Sequence, residues 1–344
     1  MKYNIIRFLT IFLILILVST SVNCFDITYC FEEYNGEIEH LVIGGIISYP
    51  SIFSSEKDST LLEEENITPS EFLKILKALH RNNYVLVKIS DCFELNSEKP
   101  CRKSLLLPKG KRPVILSIQN VVYGKTGHVN RLIVDDGIIS SYTSKRSINE
   151  RIHRDKEFIT ILENYVSKHP DFSINNAKGL IMISGSEGMF GYKTQKTNAN
   201  SKYQTKKCSQ VISTLKTNGW EFCALNYDKK DLSANNLDFA SGINKWNNIV
   251  KPLIGSTPIY YFGEDYTQIS DIKYKSELLS NCGFRLLIND NFETKTYTDN
   301  VFPNSLIINS KKINGATLRK HRNEFLNMFD SEVLYDRLNR KIPF

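Results

Sequence analysis

The chain of 344 residues lacks the short motifs that mark the commonest zinc enzymes, serine hydrolases and nucleotide-binding folds. None of its six histidines pairs with another at H-E-x-x-H spacing, and no two cysteines form C-x-x-C, which excludes these kinds of zinc site. The stretch Gly185-Ser186-Glu187-Gly188 does not have the G-x-S-x-G spacing of a nucleophile elbow. No glycine-rich turn follows the first predicted strand, as a dinucleotide-binding fold would require.

The chain also has no large excess of either charge sign and no low-complexity segment. The formal net charge is +7 and the basic residues form no dense stripe, so binding to nucleic acid is not predicted. No internal repeat and no long proline- or glycine-rich linker interrupts the chain. An uninterrupted sequence of this length fits one large domain with modest extensions.

The N-terminal segment has the layout of a secretory signal peptide. Lys2 and Arg7 precede an apolar run over residues 8–18, and small residues then lead to Cys24. This run is shorter than the roughly 20 apolar residues that a membrane-spanning helix needs. We expect a signal peptide over 1–24, one domain over 25–344, and a secreted or cell-surface protein. Membrane association is then expected only through an uncleaved signal segment or a lipid anchor.

The remaining cysteines leave two interpretations open. In an oxidising compartment they can form up to three disulfides, whereas sparse cysteines in a large domain can equally be free thiols. The residues concerned are Cys30, Cys92, Cys101, Cys208, Cys223 and Cys282.

Short apolar strands alternate with amphipathic helices about seven times along the chain. Thr68-Pro69-Ser70-Glu71 predicts the start of a helix with a capping box, and Asp136-Gly137 predicts the turn of a hairpin over 130–141. Strands without alternation are typical of parallel sheets buried on both faces. We therefore predict an α/β fold, a distorted (β/α) barrel of about seven parallel strands with a small inserted β-hairpin. The predicted strands cover residues 41–47, 84–88, 113–118, 180–184, 220–225, 259–262, 284–288 and 304–309.

Polar residues follow several of these strands, and in a (β/α) barrel the functional groups gather at the strand ends. Four carboxylates are candidates for an acid/base pair, although solvated loops are the simpler interpretation: Glu187, Asp228, Glu264 and Asp265. Three tyrosines near strand ends are candidates for stacking on sugar rings, although the sequence holds 17 tyrosines and chance places some there: Tyr123, Tyr192 and Tyr227. His128 is either a substitute for a lost ligand or a surface loop residue.

Several short segments, taken in order along the chain, carry a resemblance to a known family. They include Ser48-Tyr49-Pro50, residues 106–113, His169-Pro170-Asp171-Phe172-Ser173, residues 218–222, Gly283-Phe284-Arg285 and Ile313-Asn314-Gly315. From about Leu41 to Phe344 the chain resembles secreted polysaccharide deacetylases of carbohydrate esterase family 4. The resemblance implies a distorted barrel, usually of seven strands, that removes N-acetyl groups from amino sugars. The implied partner is a cell-wall or extracellular glycan, and no oligomeric state is indicated.

The same resemblance identifies a degenerate metal site. Family members carry an Asp-Asp pair, the first a general base and the second a metal ligand, where this chain has Gln119 and Asn120. Their two metal-binding histidines align with Leu225 and Lys229. An active relative needs a divalent metal such as zinc, but a neutral amide is a poor ligand, leucine is none, and lysine brings a positive charge. For this chain we therefore expect no metal, no cofactor, and no catalytic residue at these four positions.

Three functional hypotheses follow. The first is a non-catalytic, secreted relative that binds a glycan or a protein partner through the barrel mouth. The second is a carbohydrate deacetylase that uses other groups, among them Glu187, Asp228, Glu264 and Asp265. The third is an envelope protein whose barrel is only a scaffold.

Overall fold

The structure, a computed structural model, describes residues 30–54, 59–97, 99–119, 121–144, 147–195, 200–229, 232–263, 272–292, 302 and 304–344. Its strands are β1 (Phe31–Tyr34), β2 (Glu39–Ile43), β3 (Tyr84–Leu86), β4 (Phe93–Glu94), β5 (Cys101–Arg102), β6 (Leu105–Pro108), β7 (Arg112–Ile118), β8 (Arg131–Asp135), β9 (Ile138–Tyr142), β10 (Ile152–His153), β11 (Leu180–Ile183), β12 (Glu221–Ala224), β13 (Ile259–Tyr261), β14 (Leu286–Asp290) and β15 (Leu306–Ile313).

Helices separate most of these strands. They are α1 (Ser59–Glu65), α2 (Pro69–Arg81), α3 (Ile89–Cys92), α4 (Phe158–Lys168), α5 (Ser201–Thr217), α6 (Asn236–Ile249), α7 (Lys251–Ile254), α8 (Ile272–Asn281), α9 (Gly315–Lys320), α10 (Arg322–Phe325) and α11 (Ser331–Leu334). Short 3-10 turns cover Pro50–Ser54, Ile148–Glu150 and Pro170–Phe172. Within the described residues, none of these helices combines the length and the apolar character that a membrane span requires.

The predicted barrel is confirmed. Seven strands pair in parallel in the order β11-β12-β13-β14-β15-β2-β7, and pairing of β11 with β7 closes the ring. An additional strand, β3, pairs with the first half of β7, from Tyr84 opposite Arg112 to Leu86 opposite Val114. Because the ring is closed, the carboxyl ends of all seven strands meet around one opening, which we call the mouth.

Side chains alternate between the barrel interior and the outer helical layer, as the period of a strand requires. Leu41 and Ile43 pack outward with Phe72 and Ile75 of α2, whereas Val42 points into the interior cluster. The predicted capping box of α2 is present, because Thr68 accepts from the Glu71 backbone N–H and Glu71 accepts from the Thr68 N–H. The first barrel strand is shorter than predicted: it ends at Ile43, and the buried run beyond it is held instead by a bridge from Ile46 to Ile67.

The inserted hairpin is also confirmed. Strands β8 and β9 pair antiparallel from Arg131 opposite Tyr142 to Asp135 opposite Ile138. Asp136 and Gly137 both have positive φ, 48° and 78°, as expected of the tight two-residue turns that match strand twist. The hairpin lies beside α5. The six cysteines of the described chain are free, with Cys92, Cys208 and Cys223 buried.

Candidate functional site at the barrel mouth

Four of the predicted site positions lie together at the mouth. Gln119 follows β7, Leu225 follows β12, and both line one cavity with Glu187 and Lys229. Its volume of about 50 Å³ holds a few water molecules but not a sugar ring. Of the other predicted site residues, Asn120, Glu264 and Asp265 lie outside the described residues.

Three charged side chains form an ion cluster at this cavity, which we call the mouth triad. Glu187 is held between two ammonium groups, with Lys125 Nζ 2.8 Å from one carboxylate oxygen and Lys229 Nζ 2.9 Å from the other. Lys229 has a left-handed backbone, with φ of 56°, and its N–H donates to the Asn226 carbonyl at 2.9 Å in a tight turn. The hydrogen bonds from the two lysines lower the pKa of Glu187 to about 2. Glu187 is therefore ionised at neutral pH and is a weak base.

Gln119 contributes a neutral oxygen to the same cavity. Its backbone N–H donates to the Ile43 carbonyl at 3.0 Å, which fixes the end of β7 against β2. Its side-chain Oε1 is buried and has no hydrogen-bond partner among the described residues. A buried carbonyl oxygen of this kind is costly unless water or a ligand donates to it.

The residues at the mouth do not fit the metal that the family resemblance implies. Leu225 offers no ligand atom, Lys229 brings an ammonium group, and the one carboxylate of the cavity is already paired with two lysines. A hydrolytic zinc site needs three protein ligands such as imidazole and carboxylate. Gln119 Oε1 is a buried oxygen without a hydrogen-bond partner among the described residues, but one neutral amide oxygen does not bind zinc.

Asp228, the other described acid/base candidate, is also paired. Its carboxylate accepts from Lys245 Nζ at 2.7 Å, and its backbone N–H donates to Asn226 Oδ1 at 3.1 Å. The Asn226 side chain is fully buried and donates to the Phe239 carbonyl at 3.2 Å, so the amide anchors the loop after β12 to α6. Asp228 thus lies on the rim as part of a surface ion pair.

A polar cluster inside the mouth was not among the predicted site residues. Asp290, the last residue of β14, accepts from the Tyr261 hydroxyl and from Ser310 Oγ at 2.7 Å, and Lys312 Nζ lies 3.9 Å away. Burial raises the pKa of Asp290, and Lys312 opposes this shift. The cluster could have been found from strand parity, because positions 288 and 290 of β14 share the inward face.

The three predicted sugar-stacking tyrosines lie in different surroundings. Tyr123 is half-buried, and its hydroxyl reaches Glu157 at 3.5 Å; Tyr227 is half-buried against the core. Tyr192 is 3% exposed and donates to the Leu132 carbonyl at 2.8 Å, so its ring offers little free surface. His128 is half-buried and does not line the mouth cavity; burial lowers its pKa to about 4.

Tyr192 instead forms part of a second cavity, between the hairpin and α5, which we call the tyrosine pocket. Its volume is about 390 Å³, and its lining includes Arg131, Tyr142, Tyr192, Tyr203, Lys207 and Gln210. The Arg131 guanidinium lies 5.4 Å from the Tyr142 ring centre and 5.8 Å from that of Tyr192. Tyr203 is 60% exposed. No carboxylate lines the pocket within the described part of the chain.

Among the comparisons with known proteins, the comparison with solved structures gives matches. No protein-family model matches the chain, and no curated protein matches it. A solved structure, the Streptococcus pyogenes deacetylase PplD in complex with acetate, is similar with 11% sequence identity and a TM-score of 0.47, covering 86% of this chain and 99% of that chain. The closed barrel of parallel strands is the architecture predicted from the resemblance to polysaccharide deacetylases.

Proposed function

We propose that this protein is a non-catalytic, carbohydrate-binding relative of the polysaccharide deacetylases that acts outside the cell or at its surface. The observation that carries the proposal is the mouth triad. At the place where a deacetylase of this kind needs a metal and a base, the chain has Glu187 paired with Lys125 and Lys229.

The chemistry of the mouth supports the absence of metal-dependent hydrolysis. A metal ion is needed to bring the pKa of a bound water down to about 7, and without it hydroxide is scarce at neutral pH. Gln119 cannot accept the proton, because an amide is not basic in this range. Glu187, with a pKa of about 2, is too weak a base to replace it. Asp228 is not a free base either, because its carboxylate is paired with Lys245 Nζ at 2.7 Å.

The tyrosine pocket is the better place for a glycan. At about 390 Å³ it falls in the usual range for small-molecule sites, whereas the mouth cavity of about 50 Å³ does not. Tyr142 and Tyr203 supply aromatic surface, and Arg131, Lys207 and Gln210 supply donors for hydroxyl or anionic oxygens. This combination of aromatic and aliphatic surface with a few polar groups is typical of ligand sites.

The first experiment tests catalysis. The purified full chain, loaded with zinc or cobalt, is incubated with chitin-type and peptidoglycan-type oligomers, and released acetate is measured. We expect no release above the uncatalysed background. The matched positive comparison is the variant Gln119→Asp/Asn120→Asp/Leu225→His/Lys229→His, which restores the residue types of the family. We expect metal binding at the mouth to return more readily than turnover, measured as zinc bound in excess of that bound by the unmodified chain. Acetate release by the unmodified chain would overturn the non-catalytic proposal and favour a deacetylase with different catalytic groups.

The second experiment tests binding. A glycan array, followed by titration calorimetry on its best ligand, is run on the unmodified chain and on Tyr203→Ala, which removes an exposed ring from the tyrosine pocket. Tyr274→Ala is the matched control, because Tyr274 is 46% exposed on α8 and does not line this pocket. We expect Tyr203→Ala to weaken binding by about tenfold or more, as loss of a central aromatic contact does. Absence of binding to any glycan would instead favour the scaffold hypothesis.

A further inference from the structure

A second group of polar side chains lies at the end of the barrel opposite the mouth. His80 is in the last turn of α2, four residues before β3 begins, and His169 and Asp171 follow α4 on the segment that leads to β11. Both segments therefore approach the amino ends of barrel strands. The packing of α2 on α4, with the Phe72 and Phe158 rings 4.8 Å apart, brings the two together.

These three side chains have the donors and the spacing of a metal site. One potential ligand atom from each lies within 4.8 Å of those of the other two. His80 Nε2 is 2.7 Å from an Asp171 carboxylate oxygen, and the His80 and His169 ring centres are 5.3 Å apart. Two imidazoles and one carboxylate form the ligand set of many open zinc sites.

Only a small adjustment is needed to admit the ion. Ligand atoms at about 2.1 Å from a tetrahedral zinc lie roughly 3.4 Å from one another, so the His80 and Asp171 ligand atoms must separate slightly while that of His169 approaches. The side chains are accessible enough to move, since that of Asp171 is 44% exposed and that of His80 is 20% exposed. Three protein ligands on a four-coordinate zinc also leave one coordination position for water.

The surroundings of His80 provide a second, independent indication. Its other ring nitrogen, Nδ1, lies 3.3 Å from the Tyr165 hydroxyl. Metal-binding histidines almost always hydrogen-bond through the second nitrogen, which fixes the ring and the nitrogen that faces the metal. Tyr165 also packs against His169, with ring centres 4.5 Å apart, so one buried tyrosine positions both imidazoles.

From this geometry we propose that His80, His169 and Asp171 bind a divalent transition metal, with zinc as the preferred physiological ion. The site is separate from the mouth and independent of the proposed carbohydrate binding. No sequence motif predicts it, because His80 lies far along the chain from His169 and Asp171, with a separation of 91 positions between His80 and Asp171.

The proposal is tested by titrating zinc chloride into the metal-free full chain, with cobalt absorption as a second readout of coordination. We expect one equivalent of zinc to bind, and both His80→Gln and Asp171→Asn to weaken binding by about tenfold or more. Tyr165→Phe, which removes only the positioning hydroxyl, is expected to give a smaller loss. The matched control is His321→Gln, because His321 is also a partly exposed histidine that pairs with a carboxylate, Glu324, at 3.5 Å.

Circular dichroism and thermal unfolding of each variant establish that it is folded before its affinity is interpreted. Asp171→Asn serves where His80→Gln is unstable, because Asp171 lies on the surface. Equal zinc binding by the unmodified chain and by both ligand variants would overturn the proposal. Failure of the folded, unmodified chain to bind zinc would do the same.

Discussion

Two carboxylates of this protein, Glu187 at the mouth and Glu71 beneath the C-terminal segment, are each paired with basic side chains but in opposite surroundings. The Glu187 side chain is 53% exposed, and its partners Lys125 and Lys229 are 60% and 42% exposed. The side chains of Glu71 and its partner Arg340 are both 0% exposed. The same charge pairing is therefore a surface feature in one region and part of the interior in the other.

The buried pair is the centre of an extensive network that we call the C-terminal lock. Arg340 donates to both carboxylate oxygens of Glu71 at 2.7 Å, and it also donates to the Glu63 carbonyl at 2.7 Å and the Asn66 carbonyl at 2.8 Å. The second oxygen of Glu71 also serves the capping box of α2 through the Thr68 N–H at 2.9 Å. Each of the three guanidinium nitrogens of Arg340 thus has an acceptor, as a buried charge requires.

Access of solvent sets how much each ion pair contributes to the free energy of unfolding. Exposed pairs contribute about 0–1 kcal/mol, because water solvates the separated charges nearly as well. A buried pair adds little over an apolar replacement, but removing one partner leaves an unpaired charge in a medium that cannot solvate it. We therefore expect the lock to respond severely to substitution and the mouth to tolerate it.

The largest expected effect is that of Arg340→Ala. Among the described residues, the substitution removes the only cationic partner of the buried Glu71 carboxylate, which keeps the neutral N–H donors of Thr68 and Asp336. It also removes the guanidinium donors of the Glu63 and Asn66 carbonyls, and we expect a loss of about 3–5 kcal/mol in the free energy of unfolding. Urea unfolding followed by circular dichroism measures it. Arg337→Ala is the matched control, because Arg337 pairs with Glu332 at 3.2 Å where both are exposed, and its loss should stay below about 1 kcal/mol.

Equal losses in the free energy of unfolding for Arg340→Ala and Arg337→Ala would contradict the distinction between the buried and the exposed ion pairs. Such a result would mean that the C-terminal segment detaches at low cost and that water reaches Glu71. A folded Arg340→Ala protein that becomes sensitive to proteolysis only after residue 330 would point in the same direction.

The lock also marks the limit of prediction from the sequence. The capping box was predictable because Thr68, Pro69 and Glu71 are neighbours in the chain, and the structure confirms it. The partner of Glu71 was not, because Arg340 is 269 residues away and no local pattern records a pairing across the fold. Local periodicity likewise predicted the barrel strands, with errors where a buried run continues past its strand, as it does after Ile43.

The mouth was predictable to a similar extent. Strand ends identified Gln119, Glu187 and Lys229 as neighbours, since parallel strands of a barrel end at one opening. The sequence did not reveal that Glu187 lies between Lys125 and Lys229, nor that Tyr192 turns away from the mouth into the tyrosine pocket. Both features depend on loop conformations, such as the left-handed turn at Lys229. Hydrophobic periodicity in the sequence does not specify such conformations.

His40, a buried histidine in the barrel interior, is expected to change the free energy of unfolding by an amount between those of the buried and the exposed ion pairs. His40 Nε2 lies 2.7 Å from Ser117 Oγ, and burial lowers the pKa of His40 to about 3. At a pH below the ordinary histidine pKa of about 6.5, His40 binds a proton in the unfolded chain but stays neutral in the folded chain. Stability contributed by His40 is therefore present above about pH 6.5 and is lost progressively as the pH falls toward 3.

The size of this pH effect on the free energy of unfolding follows from the lowered pKa of His40. Between about pH 7.5 and pH 5.0, the free energy of unfolding should fall by about 2 kcal/mol on account of His40. Urea unfolding at both pH values, on the unmodified chain and on His40→Gln, measures it. The glutamine keeps a hydrogen-bonding group near Ser117 but does not titrate, so the fall should be about 2 kcal/mol smaller in this variant. An identical fall in both proteins would show that water and protons already reach the barrel interior.

The smallest expected effect is that of Glu187→Gln, which neutralises the centre of the mouth triad. Because all three side chains are substantially exposed, the free energy of unfolding should fall by less than about 1 kcal/mol, and added salt should shrink the difference further. The contribution of Glu187 should be present above its ordinary pKa near 4.5 and be lost as the pH falls toward 2, since the two lysines lower the pKa of Glu187 to about 2. A double-mutant cycle with Lys229→Met isolates the pair, and its coupling should be of the same small size. A coupling above about 2 kcal/mol would place the mouth triad in the same class as Glu71 and Arg340, as a structural element rather than an exposed ion cluster.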